Sequence, residues 1–327
     1  MVKIGVLGAG YLGKIHIKLL KQIKEYDLVG FYDYDQNEVN AVCEEFKLKY
    51  YDDPAKLLDE VDAIDIVTPT ISHYECAVNA LKSSKHIFIE KPITYTIEEA
   101  SNLIKLTNEA DVKVQVGHVE RFNPAFTSAK PYINNPMFIE AHRLSQFKQR
   151  GADVSVVLDL MIHDIDIVLS TVKSNIKKVS ASGMNVVTDK SDIASVRLEF
   201  DNGCVANLTA SRISMSNMRK ARFFQHDAYI NINFLDKEVD IVKIRDAGAN
   251  PSPSSYIIDP GQGKPKKEIY FEKPEITLNN AIKDELKSFY SSITENIPTL
   301  VNIEDGYNAL NVAYIILEKM KLTSNDV

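Results

Sequence analysis

Short apolar runs alternate with amphipathic stretches along the first third of the chain. Val2 to Leu7 reads as a strand, Ile15, Ile17, Leu19, Leu20 and Ile23 recur at helical spacing, and Leu28 to Tyr32 is apolar again. The alternation continues through a strand at Asp62–Val67, a helix at Ser72–Lys82, a strand at His86–Ile89, a helix at Ile97–Ala110 and a strand at Val112–Val116. Strand followed by helix, repeated, predicts a doubly wound parallel sheet with helices on both faces.

Past His118 the helical crossovers stop. Met137–Phe147, Ile176–Val187, Asp192–Phe200, Cys204–Arg212, Ala228–Phe234 and Glu238–Ile244 read as strands, with Asp201-Asn-Gly203 a tight hairpin turn between two of them. Helices are expected at 154–172, 280–295 and 304–320. Ala247 to Lys264, rich in Pro, Gly and Ser, reads as a surface loop. The expected fold is therefore α/β: a Rossmann domain over residues 1–120, then an α+β domain over 121–327 with a mostly antiparallel, open-faced sheet. A sheet with helices on one face only leaves the other face to be covered, which points to a homodimer or homotetramer built through it.

The turn after the first strand is Gly8-Ala-Gly10-Tyr11-Leu12-Gly13, a G-x-G-x-x-G pattern between strand and helix, as dinucleotide binding requires. Gly8 allows the tight turn, Gly10 lets pyrophosphate reach the backbone, and Gly13 lets helix and strand pack closely. Phosphates would then meet free N–H groups at the helix N-terminus. Asp33 ends the second strand, twenty residues after Gly13. It is placed to accept hydrogen bonds from a ribose 2′-hydroxyl and to repel a 2′-phosphate, so NAD is expected over NADP. Thr68-Pro-Thr70 and Glu90-Lys91-Pro92 follow strand ends, on the edge where such sheets bind ligands.

The stretch from Val154 to Leu169 is apolar almost all round, yet Asp159, His163 and Asp166 sit inside it, four and then three residues apart. That spacing puts them on one helical face. Buried ionisable groups are costly unless paired or used. A structural Asp–His pair would satisfy the same pattern.

With 327 residues, 45% of them hydrophobic and 25% charged, the chain is long enough for about two cores. Its net charge of -7 argues against nucleic acid or an anionic membrane as the main partner. No apolar run approaches the roughly 20 residues of a membrane span. Met1-Val-Lys-Ile-Gly enters a strand without a signal-peptide pattern. Three cysteines without ligand spacing suit reduced thiols, so a cytoplasmic setting and no metal are expected.

Taken in order, these motifs resemble the Gfo/Idh/MocA family of oxidoreductases over nearly the whole chain. The likeness includes Gly8-x-Gly10-x-x-Gly13 with His16, Asp33, Thr68-Pro-x-x-x-His73 and Glu90-Lys91-Pro92. It continues in Gly117-His-Val-Glu-Arg121-Phe-Asn123-Pro124, Asp159-x-x-x-His163-x-x-Asp166 and Ile297-Pro-Thr-Leu-Val301-x-x-Glu304-Asp305-Gly306. The resemblance implies NAD as cofactor, held by Gly8, Gly10, Tyr11, Leu12, Gly13, Asp33, Thr68, Thr70, His73, Glu90 and Lys91. It implies Lys91, Asp159 and His163 as the catalytic group, the last two also touching substrate. A base working near neutral pH is wanted for alcohol oxidation. Histidine starts at about 6.5 while lysine at about 10.4 must fall by roughly three units, which favours His163 as base, Lys91 as alkoxide stabiliser and Asp159 as orienting acid. The roles of Lys91 and His163 could be exchanged. Asp166 is the structural partner on the helix.

Val156-Val157-Leu158 and Met161 depart from the glycine-bearing pattern common in the family, which speaks against carrying over an inositol or glucose substrate. The segments 118–124 and 159–164 are most similar to members acting at the 3-hydroxyl of UDP-N-acetylglucosamine, whose 3-keto product goes to an aminotransferase in lipid A synthesis. A nucleotide sugar needs cations for its diphosphate. Arg121 with Asn123 is the first choice, then Lys148 and Arg150; Arg143 and Arg212 read as solvated or interface charges on the sheet. The alternatives are a dehydrogenase of a free sugar or cyclitol, and a non-catalytic dinucleotide-binding sensor. Retention of Lys91, Asp159 and His163 counts against the sensor.

Overall fold

The structure is a computed structural model that describes residues 1–149, 151–248 and 255–324. Two compact units divide the chain, the first made of Met1–Phe122 and Asn280–Asn311, the second of Asn123–Asn279 and the chain from Val312 on.

In the first unit, β1 (Val2–Leu7), α1 (Tyr11–Leu20), β2 (Tyr26–Tyr32), α2 (Gln36–Phe46), α3 (Pro54–Glu60), β3 (Ala63–Ile66), α4 (Thr70–Lys82), β4 (His86–Glu90), α5 (Ile97–Ala110) and β5 (Val114–Gly117) follow in order. Their starts are locally encoded: Asp35 and Asp53 cap α2 and α3, and Thr96 with Glu99 forms a reciprocal capping box at α5. The five strands are all parallel, in the order β2-β1-β3-β4-β5. The chain leaves β1 in one direction for β2 and returns on its other side as β3. Such a reversal of strand order opens a crevice at the strands' carboxyl ends, where these sheets take ligands.

Residues 280–311 also belong here. In α8 (Ala281–Thr294), Leu286 and Phe289 are fully buried in the same core as Ile4, Ile17 and Phe88. The Tyr26 hydroxyl donates to the Leu286 carbonyl at 2.8 Å, and the Gln115 amide to that of Glu285 at 2.7 Å. Two consecutive blocks split near residue 120 would leave this core unfilled.

In the second unit, α6 (Pro124–Ala129), β6 (Phe138–Leu144), α7 (Ile162–Thr171), β7 (Ile176–Met184), β8 (Ile193–Phe200), β9 (Val205–Ser211), β10 (Met218–Phe224), β11 (Ala228–Asn233), β12 (Glu238–Asp246), β13 (Tyr256–Ile258) and β14 (Lys267–Glu272) build a nine-stranded sheet and its helices. The strand order is β13-β14-β12-β11-β10-β6-β9-β8-β7, antiparallel throughout except where β6 runs parallel to β9. Ile139, Ala141, Val196, Leu198, Leu208, Ile230 and Ile232 alternate into its core, where α7 packs against β6 and β9 and α6 against β11. The last helix, α9 (Ile303–Ser324), is divided between the units at Asn311.

Three strands depart from the sequence reading, among them β14, which it left out. Met218-Arg-Lys-Ala-Arg-Phe-Phe224 carries charges on its outward face, so only Ala221 and Phe223 mark it as the strand it is. Tyr256–Ile258 lies inside the expected 247–264 loop and pairs with β14, all three residues exposed. No helix among the described residues is long and apolar enough to cross a membrane.

Candidate active site

At the end of β1, Gly8 has a φ of 98°, and a Cβ there would lie 2.7 Å from the Thr68 nitrogen. Gly13 is packed against the Gly8 carbonyl, whereas a Cβ on Gly10 would meet nothing within 4 Å. Two glycines are thus demanded by the protein's own packing, and the third faces open space. Tyr11 and Leu12 open α1, Tyr11 being 69% exposed, and the helix has neither a side-chain cap nor an acid in its first turn. The positive end of its dipole favours an anion there.

Asp33 is buried behind this turn. One carboxylate oxygen accepts from the Ala9 N–H and the other from the Asp35 N–H at 2.9 Å, so the acid is locked to the glycine loop. A cavity of about 590 Å³ opens here, lined in part by Leu7, Tyr32, Tyr34, Thr68, Pro69 and Cys76. That volume suits a nucleoside-sized group. Burial pushes the Cys76 thiol up to about 11, which keeps it unreactive.

Thr70 begins α4 just past Thr68. His73, expected at the cofactor, is buried with one ring nitrogen 2.9 Å from the Thr68 carbonyl and the other 2.9 Å from the Pro92 carbonyl. Burial pushes its pKa down although both carbonyls pull it up. A neutral ring donates to one carbonyl and rests against the other. His73 therefore braces the Thr68 turn against the Glu90-Lys91-Pro92 turn, with neither ring nitrogen left for a ligand. Glu90 ends β4 with Oε2 accepting from the Lys91 N–H at 3.2 Å, Lys91 is half-buried, and the Lys91–Pro92 bond is cis.

Asp159 lies in a π-type turn, Val157–Met161, that leads into α7. Turns of this kind insert one extra residue into a helix and recur at functional sites. Asp159 and His163 are half-buried and Asp166 is buried. Asp159 is backed by Gly151, where a Cβ would fall 2.9 Å from its Oδ2. The loop carrying Gly151 is tied down by Arg212, whose guanidinium donates to the Gly151 carbonyl at 2.8 Å and the Val154 carbonyl at 2.6 Å. Arg212 Nε in turn stands 3.9 Å from Asp192. Burial pushes the Asp192 carboxyl up, but three N–H groups of 186–188 and the Thr188 hydroxyl bring it down to about 2.

Arg143 is the other buried arginine, gripping Asp164 through Nε at 3.0 Å and Nη2 at 2.9 Å. Neither Arg143 nor Arg212 is a solvated sheet charge, contrary to the sequence reading. Alternation along a strand says which face a side chain takes but not what waits there. Arg121 is also buried, 3.4 Å from Asp305. Asn123 caps α6, accepting from the Ala125 N–H at 3.1 Å, and donates to the Phe234 carbonyl at 3.0 Å. Lys148 is exposed, and Arg150 lies outside the described residues.

An open Gly10, an uncapped helix start, a buried acid after β2 and an adjoining cavity fit a dinucleotide. These features define a dinucleotide-binding protein. Residues 2–118 match the oxidoreductase family, NAD-binding Rossmann fold, and residues 115–228 the GFO/IDH/MocA C-terminal domain. UDP-N-acetylglucosamine 3-dehydrogenase of Acidithiobacillus ferrooxidans is 33% identical over 95% of both chains. A solved structure of that enzyme has a TM-score of 0.88 at 32% identity, covering 98% of each chain. Myo-inositol 2-dehydrogenase of Thermotoga maritima is 26% identical over 96% of this chain and 94% of its own. The chain belongs to the Gfo/Idh/MocA family, and NAD is its cofactor.

Proposed function

We propose that this protein oxidises the 3-hydroxyl of UDP-N-acetylglucosamine, giving a 3-keto sugar nucleotide that an aminotransferase consumes in amino-sugar and lipid A synthesis. What carries the reading is 33% identity, sustained over 95% of both chains, to an enzyme named for that reaction. Bound NAD supplies the hydride acceptor. In the proposed chemistry His163 takes the hydroxyl proton as the carbon–hydrogen bond yields its electron pair. Lys91 hydrogen-bonds the oxygen as negative charge develops, Asp159 orients the pair, and a carbonyl is left. Among the cations expected to meet the diphosphate, Lys148 is exposed while Arg121 already has Asp305. The exposed Tyr256, Ile257 and Phe271 are where self-association through the sheet would bury apolar surface.

The second reading, a free sugar or cyclitol, has the 26% identity to the inositol enzyme in its favour. NADH formation with UDP-N-acetylglucosamine, free N-acetylglucosamine and myo-inositol separates them. The nucleotide sugar should be oxidised far more efficiently, since the free sugar lacks the anchoring diphosphate. Equal efficiency on the free sugar overturns the nucleotide-sugar reading while the dehydrogenase stands.

A further inference from the structure

Four ionisable side chains meet in the interior of the first unit, from elements far apart in the chain. His16 comes from α1, Asp65 from β3, Glu90 from the end of β4 and Glu285 from α8. His16, Asp65 and Glu285 have no exposed surface, and Glu90 is 8% exposed. His16 Nδ1 lies 2.9 Å from Asp65 Oδ2, and its Nε2 3.4 Å from Glu90 Oε1. A ligand atom of Glu285 is within 4.8 Å of those of His16 and Glu90. Both Glu285 carboxyl oxygens, Asp65 Oδ1 and His16 Nε2 have no hydrogen-bond partner among the described residues, the approach of Nε2 to Glu90 being an ion-pair contact. Room for the Glu90 carboxylate is left by Gly117, where a Cβ would fall 2.7 Å from Oε1.

The geometry points to a buried proton-sharing site in which His16 is an imidazolium between Asp65 and Glu90 while Glu285 is a neutral acid, the set positioning the Glu90–Lys91 turn. Three ionised carboxylates around a neutral imidazole would put three like charges in a dry interior, which is costly. One proton on the ring lets Asp65 and Glu90 bind it from opposite sides, and a second on Glu285 removes the remaining repulsion. The neighbouring charges act in that sense. Burial alone would lower the His16 pKa, yet Asp65 and then Glu90 raise it well above its ordinary value. Burial, then the charges of Glu90 and Asp65, pushes Glu285 well above the carboxylate range although His16 opposes. Burial also raises Asp65, with His16 pulling it down. Tyr26 on β2, itself raised first by burial and then by Asp65, and His73 on α4, on which the Glu90 charge also acts, are further titratable neighbours. From β5, Gln115 donates to the Glu285 carbonyl and Gly117 lies against Glu90, and neither titrates. Phe88 and Phe289 close it off, with the Phe88 ring edge-on to His16 at 5.7 Å.

Because Glu90 precedes Lys91 directly, its pull on His16 fixes the carboxylate that accepts the Lys91 N–H. The positioning role rests on the proposed part of Lys91 in the reaction; the protonation states do not.

The test is a pH titration of histidine-labelled full-length protein by NMR, with His16 assigned through His16→Gln. His16 should titrate clearly above its usual 6.5. Removing an ionised neighbour lowers an imidazolium pKa and removing a neutral one does not, so Asp65→Asn and Glu90→Gln should each lower it by about one unit or more. Glu285→Gln should move it by less than about half that. A His16 that titrates at or below about 6.5 overturns the proposal, as does a Glu285→Gln drop matching that of Glu90→Gln. So does a stoichiometric divalent ion that chelation removes. If the Asp65 and Glu90 variants fail to fold, the wild-type titration decides. For positioning, Glu90→Gln should lower kcat several-fold with KM for the sugar within about twofold, and an unchanged kcat refutes that role. Inactivity of the wild-type protein on every sugar tested would count against the substrate reading and leave the titration result intact.

Discussion

Replacing Arg143 by Met should destabilise the second unit more than almost any other single change of similar volume. Arg143 is 2% exposed and Asp164 4%, and two hydrogen bonds of 3.0 and 2.9 Å join them. Removing the cation leaves the Asp164 carboxylate buried without its arginine. Breaking a buried pair from one side costs about 3–5 kcal/mol, whereas replacing both partners with apolar groups is often close to neutral. Arg143→Met should therefore lower the melting temperature by roughly 6–20 °C for a unit of this size, while Arg143→Met with Asp164→Leu should recover most of the loss. A lone buried carboxyl has its pKa raised, so the stability that it retains is present at low pH and lost as pH rises through the raised value. The single variant's deficit against wild type should accordingly be smaller near pH 4 than near pH 8. Thermal unfolding at the two pH values, for the wild type, both single variants and the double, completes the cycle. A single variant costing under about 1 kcal/mol, or a double variant no better than the single, would refute the reasoning. Asp164 directly follows His163, so kcat should fall in step with the lost packing.

Asp33→Ala should weaken NAD binding and narrow its preference over NADP, measured by titrating both cofactors; tighter NADP binding by the wild type would sink the assignment. Lys91→Ala and His163→Ala should each abolish turnover, His163→Ala with NAD affinity nearly unchanged, and the double variant should cost little more than the worse single one. Near-normal turnover in His163→Ala would show that residue to be structural. Arg212→Ala frees the loop that backs Asp159, so kcat should fall several-fold at unchanged NAD affinity; an unchanged kcat would mean that the loop holds itself.

The glycine turn, Asp33 and the parallel order of the first sheet were legible because each is a local pattern: strand, turn, helix, acid. His73 shows where locality stops. Its place in Thr68-Pro-x-x-x-His73 marks the family, but only the fold shows both ring nitrogens turned to main-chain carbonyls. Glu285 was hidden for a related reason. It occupies the apolar face of α8 with Phe289 one turn on, which flags an acid in a core, but not that His16 and Glu90 meet it there. The Arg212 brace spans about sixty residues and leaves no periodic trace.

The return of residues 280–311 to the first unit bears on how the chain is made. A ribosome that has released Met1 to Phe122 has delivered all five strands of the nucleotide-binding sheet, yet neither Leu286, Phe289 nor Glu285. At roughly 5–20 residues per second, those arrive on the order of ten to thirty seconds later. Until then Ile17, Phe88 and the polar set at His16 face water or a chaperone, and the second unit must be emerging in the interval. The cofactor domain begins first but is closed only by residues 280–311, so a nascent chain stalled anywhere before α8 is a chain that cannot yet complete its NAD-binding domain.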